Sequence, residues 1–312
     1  MITLELFDQQ LRATWDDIVS KARNGLFQFQ RNYLEYHKLR FTDASVLFRK
    51  GANPIGCLPM SRHEDTLISH GGLTFGGILT LPEARLTHVR DMLRLAKDFA
   101  KQSNCRKILY KSIPRIYHRN PSDEDLYCLF LEGGRLVRRD LNTVLEYGRS
   151  ARVHARRSRG AAKSKRSGIV VEIDSSQFPA FWNVLGENLS KRHNTGATHS
   201  LDEILLLKSR FSNEIKLHVA MLEGSVIAGV VTYETELVAH AQYISSTAEG
   251  RRLHALDQLL LDVLENFKNR CRFFSFGIST TNEGREVNEG LVDQKEGFGG
   301  RTITHDFYEI DV

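Results

Sequence analysis

Three β-like segments follow one another almost without interruption in the second half of the chain: Ile215 to Leu222, Val226 to Glu234 and Val238 to Ser245. Glu223-Gly224 and Thr235-Glu236 have the composition of tight hairpin turns, so the three segments form an antiparallel meander. The turn Thr247 to Ala255, containing Gly250, Arg251 and Arg252, comes next. A helix from Leu256 to Phe267 and a strand from Phe273 to Phe276 complete the pattern. A Gly/Arg turn running into a helix aims backbone N–H groups and a helix N-terminus at one point, which suits a pyrophosphate. This run of elements limits the fold more than anything else in the sequence.

The remaining elements read as follows. Leu11, Trp15, Ile18, Val19 and Ala22 recur at helical spacing, ended by Asn24-Gly25. A second helix lies around Arg31 to Leu39, and strands at Ala44 to Phe48 and Ile55 to Met60. Ser69 to Gly77 is too rich in glycine for a helix or a regular strand. Pro82 opens a long helix whose buried face is Leu86, Val89, Met92, Leu93, Ala96 and Phe99. Strands at Lys107 to Lys111 and Asn142 to Tyr147 close the first half. The second half adds a strand at Ile169 to Ile173, helices at Phe178 to Leu189 and Leu201 to Lys208, a helical stretch from Glu286 to Leu291 and a strand near Ile303 to Tyr308. The fold class is α/β (α+β in the first half), in two domains, 1–148 and 149–312, each a mostly antiparallel sheet flanked by helices. At 312 residues, two domains are also what length implies.

Charge is concentrated. Between Glu146 and Glu172 no acidic residue occurs, whereas Arg149, Arg152, Arg156, Arg157, Arg159, Lys163, Lys165 and Arg166 do. Without those eight residues the net charge of +5 becomes −3, so the basicity marks a local anion partner. The segment reads as a helix broken by Gly160 and ended by Gly168. No aromatic residue interleaves it, which argues against a single-stranded nucleic acid. No apolar run reaches the roughly 18 residues of a membrane span, and the first residues lack the pattern of a signal peptide. Cys57, Cys105, Cys128 and Cys271 show neither CxxC pairing nor nearby histidines at ligand spacing. They read as reduced thiols of a cytoplasmic protein, with no metal site expected.

Strand alternation puts His240, Gln242 and Ile244 on one face, with polar side chains beside apolar neighbours. A histidine there is suited to accept a proton near neutral pH, the alternative being a core histidine satisfied by a backbone carbonyl. His193 and His199 flank a turn that either reaches over a substrate or ends a helix with favoured cations. His70 sits among glycines, where backbone approaches a ligand or forms a tight bulge.

Several strings resemble one family. Lys191-Arg192-His193-Asn194, Thr198-His199-Ser200, Val238 to Ser245, Ala255-Leu256-Asp257, Phe276 to Thr280 and Gln294 to Gly300 are similar to a branch of the GNAT superfamily with a tandem, Fem-like layout. Tyr33 to Phe41 and Ser69 to Gly77 resemble the same branch. The resemblance implies two GNAT-like domains and an N-acyltransferase. Its donor is acyl-CoA and its acceptor the amine of a nucleotide-linked deoxyamino sugar, probed first as the dTDP form, in O-antigen or capsule synthesis. It implies that Ile244, Ser245 and Ser246 meet the donor's pantetheine arm, and that Arg251, Arg252 and Ala255 belong to the phosphate turn. His193, His199, Gln242, Asn288, Lys295 and His70 are the implied substrate contacts, and His240 the implied base. One departure stands out: His254 occupies the place where the superfamily's turn carries a glycine. Two other readings stay open, a Fem-type aminoacyl-tRNA-dependent transferase and a non-catalytic GNAT-like binding module. The first would carry a long coiled-coil arm, and no sustained heptad occurs.

Overall fold

The computed structural model describes residues 1–149, 152–193 and 197–312, without the side chains of Lys191, Arg192 and His193. The described chain divides into two compact units. The first holds Met1–Asp140, Asn282–Arg285 and Thr304–Val312, and the second Leu141–Thr281 and Glu286–Ile303. The division falls within the strand Arg135–Glu146, and Gly148, the expected junction, is a left-handed turn residue with φ of 81° just beyond it.

In the first unit, strands β1 (Ile2–Leu6), β2 (Val46–Lys50) and β3 (Asn53–Leu58) pair antiparallel. Helix α1 (Arg12–Lys21) buries Trp15, Ile18 and Val19, and Trp15 Nε1 donates to the Phe29 carbonyl at 2.8 Å. The strand β4 (Thr66–Ile68) precedes the glycine-rich loop, and the short strand β5 (Leu79–Thr80) follows it and joins β3. Helix α2 (Leu86–Gln102) lays Val89, Met92, Leu93, Ala96 and Ala100 into a core with Val46, Phe48 and Ile108. That helix starts at Leu86, not at Pro82. Arg85 is its N-cap, with its backbone N–H donating to His88 Nδ1 at 3.2 Å, and Leu86 is 42% exposed because it sits in the first turn. Strand β6 (Lys107–Lys111) runs parallel to β4 and antiparallel to the C-terminal strand Arg301–Asp311.

The second unit begins with the end of β7 (Arg135–Glu146). The basic helix α3 (Ala155–Arg166) is continuous. Gly160 does not break it: a Cβ there would meet Asp257 Oδ2 at 2.1 Å, so glycine serves close helix packing. Strand β8 (Val170–Glu172), helix α4 (Phe178–His193) and the meander β9 (Ile215–Leu222), β10 (Ser225–Glu234) and β11 (Val238–Ser246) follow. Helix α5 (Ala255–Phe267) and strand β12 (Phe273–Ile278) come next, then α6 (Glu289–Glu296). Strands β8 to β12 pair in chain order, antiparallel except β11 with β12, and β7 lies beyond β12. Leu259, Leu260, Val263 and Phe267 of α5 cover one face, against Ala228, Val230, Ala239 and Ala241. On the other face Gly229 lets Phe181 of α4 close onto the sheet, since a Cβ would come within 2.3 Å of the Phe181 ring.

Among the described residues no helix is long and apolar enough to cross a membrane, and no group of three or more His, Cys, Asp or Glu side chains could hold a metal ion.

Candidate functional site

The sheet of the second unit opens at one place. Strands β11 and β12 pair at Val238↔Phe273, Ala239↔Phe274 and His240↔Ser275. Among the described residues they pair no further, although β11 runs on to Ser246 and β12 to Ile278. Both strands change course at the same level. On β11 the register against β10 slips so that Val231 faces Tyr243 and Thr232 faces Ala241, leaving Gln242 as a bulge. On β12, Gly277 takes a φ of 76°, which a side chain would resist. The strands therefore part, and each leaves backbone polar groups facing the gap.

A cavity of about 800 Å³ lies at this gap, lined by Ile244, Ser245 and Ser246 from β11 and by Phe276, Ile278 and Ser279 from across it. Leu185, Asn188 and Leu189 of α4, the first turn of α5, and Asn288 to Lys295 complete the wall. Arg156, Arg157 and Arg251 are the cations of the lining, apart from Lys295. Arg157 is neutralised by Asp257, 3.0 Å away, whereas Arg156 is exposed.

The turn after β11 is built by short-range chemistry. Thr247 caps the helical turn Ala248–Arg252, its Oγ1 accepting from Gly250 N at 3.0 Å. Gly250 has no room for a side chain, because a Cβ would meet the Ile227 carbonyl at 2.4 Å and Ser246 Oγ at 2.5 Å. His254 adopts a φ of 61°, the left-handed conformation a glycine would take, and is the N-cap of α5. Its Nδ1 lies 3.2 Å from Asp257 Oδ2, which helps hold a conformation that costs a non-glycine residue about 1–2 kcal/mol.

Arg251 Nη1 donates to the Ser246 carbonyl at 2.5 Å and to Asn188 Oδ1 at 3.1 Å. Asn188 in turn donates to Ser245 Oγ and the Ser246 carbonyl, both at 2.7 Å. Sequence reading does not single out Asn188; its only signal is a polar residue on the otherwise apolar, sheet-facing side of its helix. Arg252 points elsewhere, paired with Glu249 at 3.2 Å and outside the cavity lining. Ala255 is fully buried in the α5 core and also outside the lining.

Lys295 is 5% exposed, and its Nζ donates to the carbonyls of Gly277 (2.8 Å) and Ile278 (2.7 Å) and to Ser279 Oγ (2.8 Å). Three acceptors match the three protons of an ammonium group, while burial pulls its pKa down to about 7. Lys295 thus fastens α6 to the parted end of β12. Asn288 lines the cavity as the N-cap of α6, with Oδ1 accepting from Leu291 N at 3.0 Å.

The bulge alters the expected facing of β11. His240 stands opposite Tyr233, and Ile244 opposite Val230, which lie three residues apart on β10 and so point to opposite faces. His240 therefore shares the α4 face with Tyr243 and Ser245, whereas Ile244 turns to the α5 side; the three residues Gln242, His240 and Ile244 do not form one stripe. His240 and Gln242 are not in the cavity lining. His240 occupies the last paired position before the strands part, with Nδ1 3.0 Å from Ser275 Oγ. Ser275 Oγ donates to Asn142 Oδ1 at 3.2 Å. With its proton directed at Asn142, the hydroxyl is an acceptor for an N–H at His240 Nδ1.

His199 is buried on the α4 side, its Nδ1 2.5 Å from Tyr243 Oη, and Trp182 Nε1 donates to its carbonyl at 3.1 Å. It is outside the cavity lining. His193 ends α4, and its side chain, like Asn194, lies outside the described residues. His70 belongs to the first unit, where it is buried with a φ of 51°.

No protein-family model and no curated protein matches the sequence. Solved structures match it in fold. A FemX structure superposes with a TM-score of 0.68 at 10% identity, covering 99% of this chain and 97% of its own. L-PGS from Bacillus licheniformis gives 0.62 at 12% identity, covering 98% and 93%. A tandem GNAT protein from the clavulanic acid biosynthesis pathway gives 0.54 at 12%, covering 100% and 98%. The chain is thus similar along its whole length to tandem GNAT and Fem-like structures, and its α/β architecture is theirs.

Proposed function

We propose that the protein is an acyltransferase that takes an acyl group from acyl-CoA in the second unit's cleft and passes it to a primary amine. The observation that carries this reading is the parting of β11 and β12 over a cavity bounded by Ser246 and Arg251. The free edge from Ile244 to Ser246 offers backbone donors and acceptors to the amides of a pantetheine arm. An N–H of that edge is suited to polarise a thioester carbonyl. Arg251, Arg156 and the turn ending at His254 supply cations and N–H groups for the phosphates. Arg252 and Ala255 support the turn without facing the cavity.

His240 is the proposed acceptor of the amine proton, through Nε2. As the amine nitrogen bonds to the acyl carbon, its proton passes to His240, the carbon–sulfur bond breaks, and CoA leaves as the thiolate, which takes a proton from solvent while the imidazolium returns its own. Holding amine and thioester in attack geometry supplies most of the acceleration, up to about 7–11 kcal/mol. Proton removal adds about 10²–10⁴-fold. The proposed acceptor is a nucleotide-linked deoxyamino sugar for surface polysaccharide, the dTDP-linked form being the first to try. His193, His199 and Gln242 are its proposed contacts, His199 lying beside Tyr243 on the same face as His240; Asn288 and Lys295 shape the donor side.

The test is a panel of acyl-CoAs and nucleotide-linked amino sugars incubated with the protein, with N-acylated product read by mass spectrometry and CoA binding by calorimetry. Product from at least one pair is expected; absence of both product and CoA binding would remove the reading.

One observation favours a second reading, Fem-type transfer from an aminoacyl-tRNA. Arg152, Arg156, Arg159, Lys163 and Arg166 are exposed on or beside α3, and no ion pair involves them among the described residues. Arg156 also lines the cleft, so a polyanion lying on α3 could end there. Binding of aminoacyl-tRNA that persists at about 200 mM salt, where weak phosphate attraction is lost, would select this reading.

A further inference from the structure

The first unit repeats the parting of strands and fills it differently. Strands β4 and β6 pair in parallel at Thr66↔Lys107, Leu67↔Ile108 and Ile68↔Leu109, three pairs as between β11 and β12. Beyond Ile68 the chain leaves β6, and its next strand, at Leu79, joins the other sheet beside β3. In the second unit the corresponding gap opens onto the cavity. Here the loop Ser69–Gly77 lies across it. Ser69 N donates to the Leu109 carbonyl (2.9 Å), Gly76 N to the Lys111 carbonyl (2.8 Å) and Lys111 N to Ser69 Oγ (2.7 Å). The glycines permit this contact: a Cβ on Gly76 would meet the Ser69 carbonyl at 2.1 Å, and one on Gly77 the Tyr110 hydroxyl at 2.7 Å.

Two polar side chains under this loop lack the partners their chemistry calls for. Lys111 is 6% exposed, and its Nζ donates to the Leu73 carbonyl, yet no ion pair among the described residues includes it. The nearby carboxylate Asp140 is already paired with Arg138, 2.8 Å away. His305 is 2% exposed, between the rings of Phe75 (5.8 Å) and Phe307 (4.7 Å), and its Nε2 has no hydrogen-bond partner. The same loop covers both, since Leu73 meets Lys111 and Phe75 meets His305. A buried amine without a counter-charge and a buried imidazole nitrogen without a partner are both costly, and folded proteins keep such groups where another molecule satisfies them.

We propose that Lys111 Nζ and His305 Nε2, under the Ser69–Gly77 loop, form a binding site for an oxyanion, the carboxylate or phosphate group of a ligand of the first unit. Lysine donates to one oxygen and the imidazole N–H to another, with Phe75, Phe307 and Tyr117 forming an aromatic surround. Arg138 adds positive charge. The loop has to lift for entry, and the oxyanion replaces the Leu73 carbonyl as the acceptor at Lys111. This inference does not depend on the reaction proposed for the second unit.

The experiment uses the full chain with Arg156→Ala and Arg251→Ala, which removes the cations of the other cleft, and follows thermal unfolding against sodium phosphate or sodium acetate at constant ionic strength set with chloride. A rise in Tm that saturates with phosphate, acetate or both, and is absent in chloride alone, is expected. A phosphate-only response assigns a phosphate ester, and an acetate-only response a carboxylate. Adding Lys111→Met or His305→Phe should abolish the rise while leaving the anion-free Tm equal to or above that of the parent, because each removes an unsatisfied buried group. If neither anion raises the parent's Tm, or if Lys111→Met and His305→Phe both lower the anion-free Tm, the two side chains serve packing and the site is refuted. Should one variant fail to fold, the parent's titration and the other variant decide.

Discussion

Arg157 Nη1 stands 3.0 Å from Asp257 Oδ1, and both side chains are largely buried, at 12% and 5% exposed. Asp257 lies in the first turn of α5, so this pair ties the basic helix α3 to the helix whose N-terminus faces the cleft. Removing one partner strands the other's charge, which costs about 3–5 kcal/mol. Arg157→Ala and Asp257→Ala should each lower the urea midpoint strongly. Gly160→Ala should do so as well, despite alanine's helix propensity, because its Cβ would strike the same carboxylate. An unchanged midpoint in Gly160→Ala would show that α3 and α5 can move apart freely.

Arg251 and Arg252 are neighbours with opposite expectations. Arg251 lines the cavity and Arg252 pairs with Glu249 at the surface. Arg251→Ala should weaken CoA binding about tenfold or more, as loss of a charge-assisted contact implies, and Arg252→Ala should leave it nearly unchanged. Calorimetry with CoA distinguishes them; equal losses would place the phosphates outside the cleft.

His240→Ala should reduce kcat by about 10²–10⁴-fold with little change in KM for acyl-CoA, since a proton acceptor acts mainly in the transition state. The acidic limb of the pH–rate profile should change too. Ser275→Ala removes the hydroxyl that orients Nδ1 and should produce a smaller fall in kcat. A loss below tenfold in His240→Ala, with the acidic limb intact and thermal stability equal to the parent, would assign His240 to packing.

His254→Gly should leave CoA binding intact, because glycine adopts the same left-handed backbone without strain. Gly250→Ala should impair both stability and CoA binding, because no space exists for its Cβ. The contrast tests whether the turn acts through backbone shape. If His254→Gly abolished binding, the imidazole itself would be a ligand group.

Stability should fall in acid for a stated reason. Burial lowers the pKa of His70 to about 3 and those of His218 and His305 to about 4. An unfolded histidine takes up its proton near pH 6.5, so between there and about pH 4 the unfolded chain binds more protons and stability drops as pH falls. On the alkaline side, burial lowers Lys111 and Lys295 to about 7. The unfolded lysine keeps its proton to about pH 10, so these two make the fold more stable as pH rises from about 7. Urea midpoints across pH should show both slopes, with the upper one flattened in Lys295→Met and the lower one in His305→Phe.

Local pattern determined much of this molecule. The meander from Ile215 to Ser246, the apolar faces of Arg12–Lys21, Leu86–Gln102 and Ala255–Phe267, and the turn holding Gly250 and Arg251 were all legible, because periodicity and turn chemistry depend on neighbours in sequence. The tertiary structure decided the rest. Alternation alone places His240 with Ile244, but the bulge at Gln242, fixed by pairing with Val231 and Thr232, turns them to opposite faces. Gly160 reads as a helix breaker until Asp257, distant in the chain, occupies the space of its side chain. No neighbour of Lys295 in sequence signals that three acceptors on residues 277–279 enclose its ammonium group. His305 carries no local signal at all. Its meaning arises because the C-terminal strand returns to the first unit and sets its imidazole beside Phe75, a juxtaposition that only packing between distant segments produces.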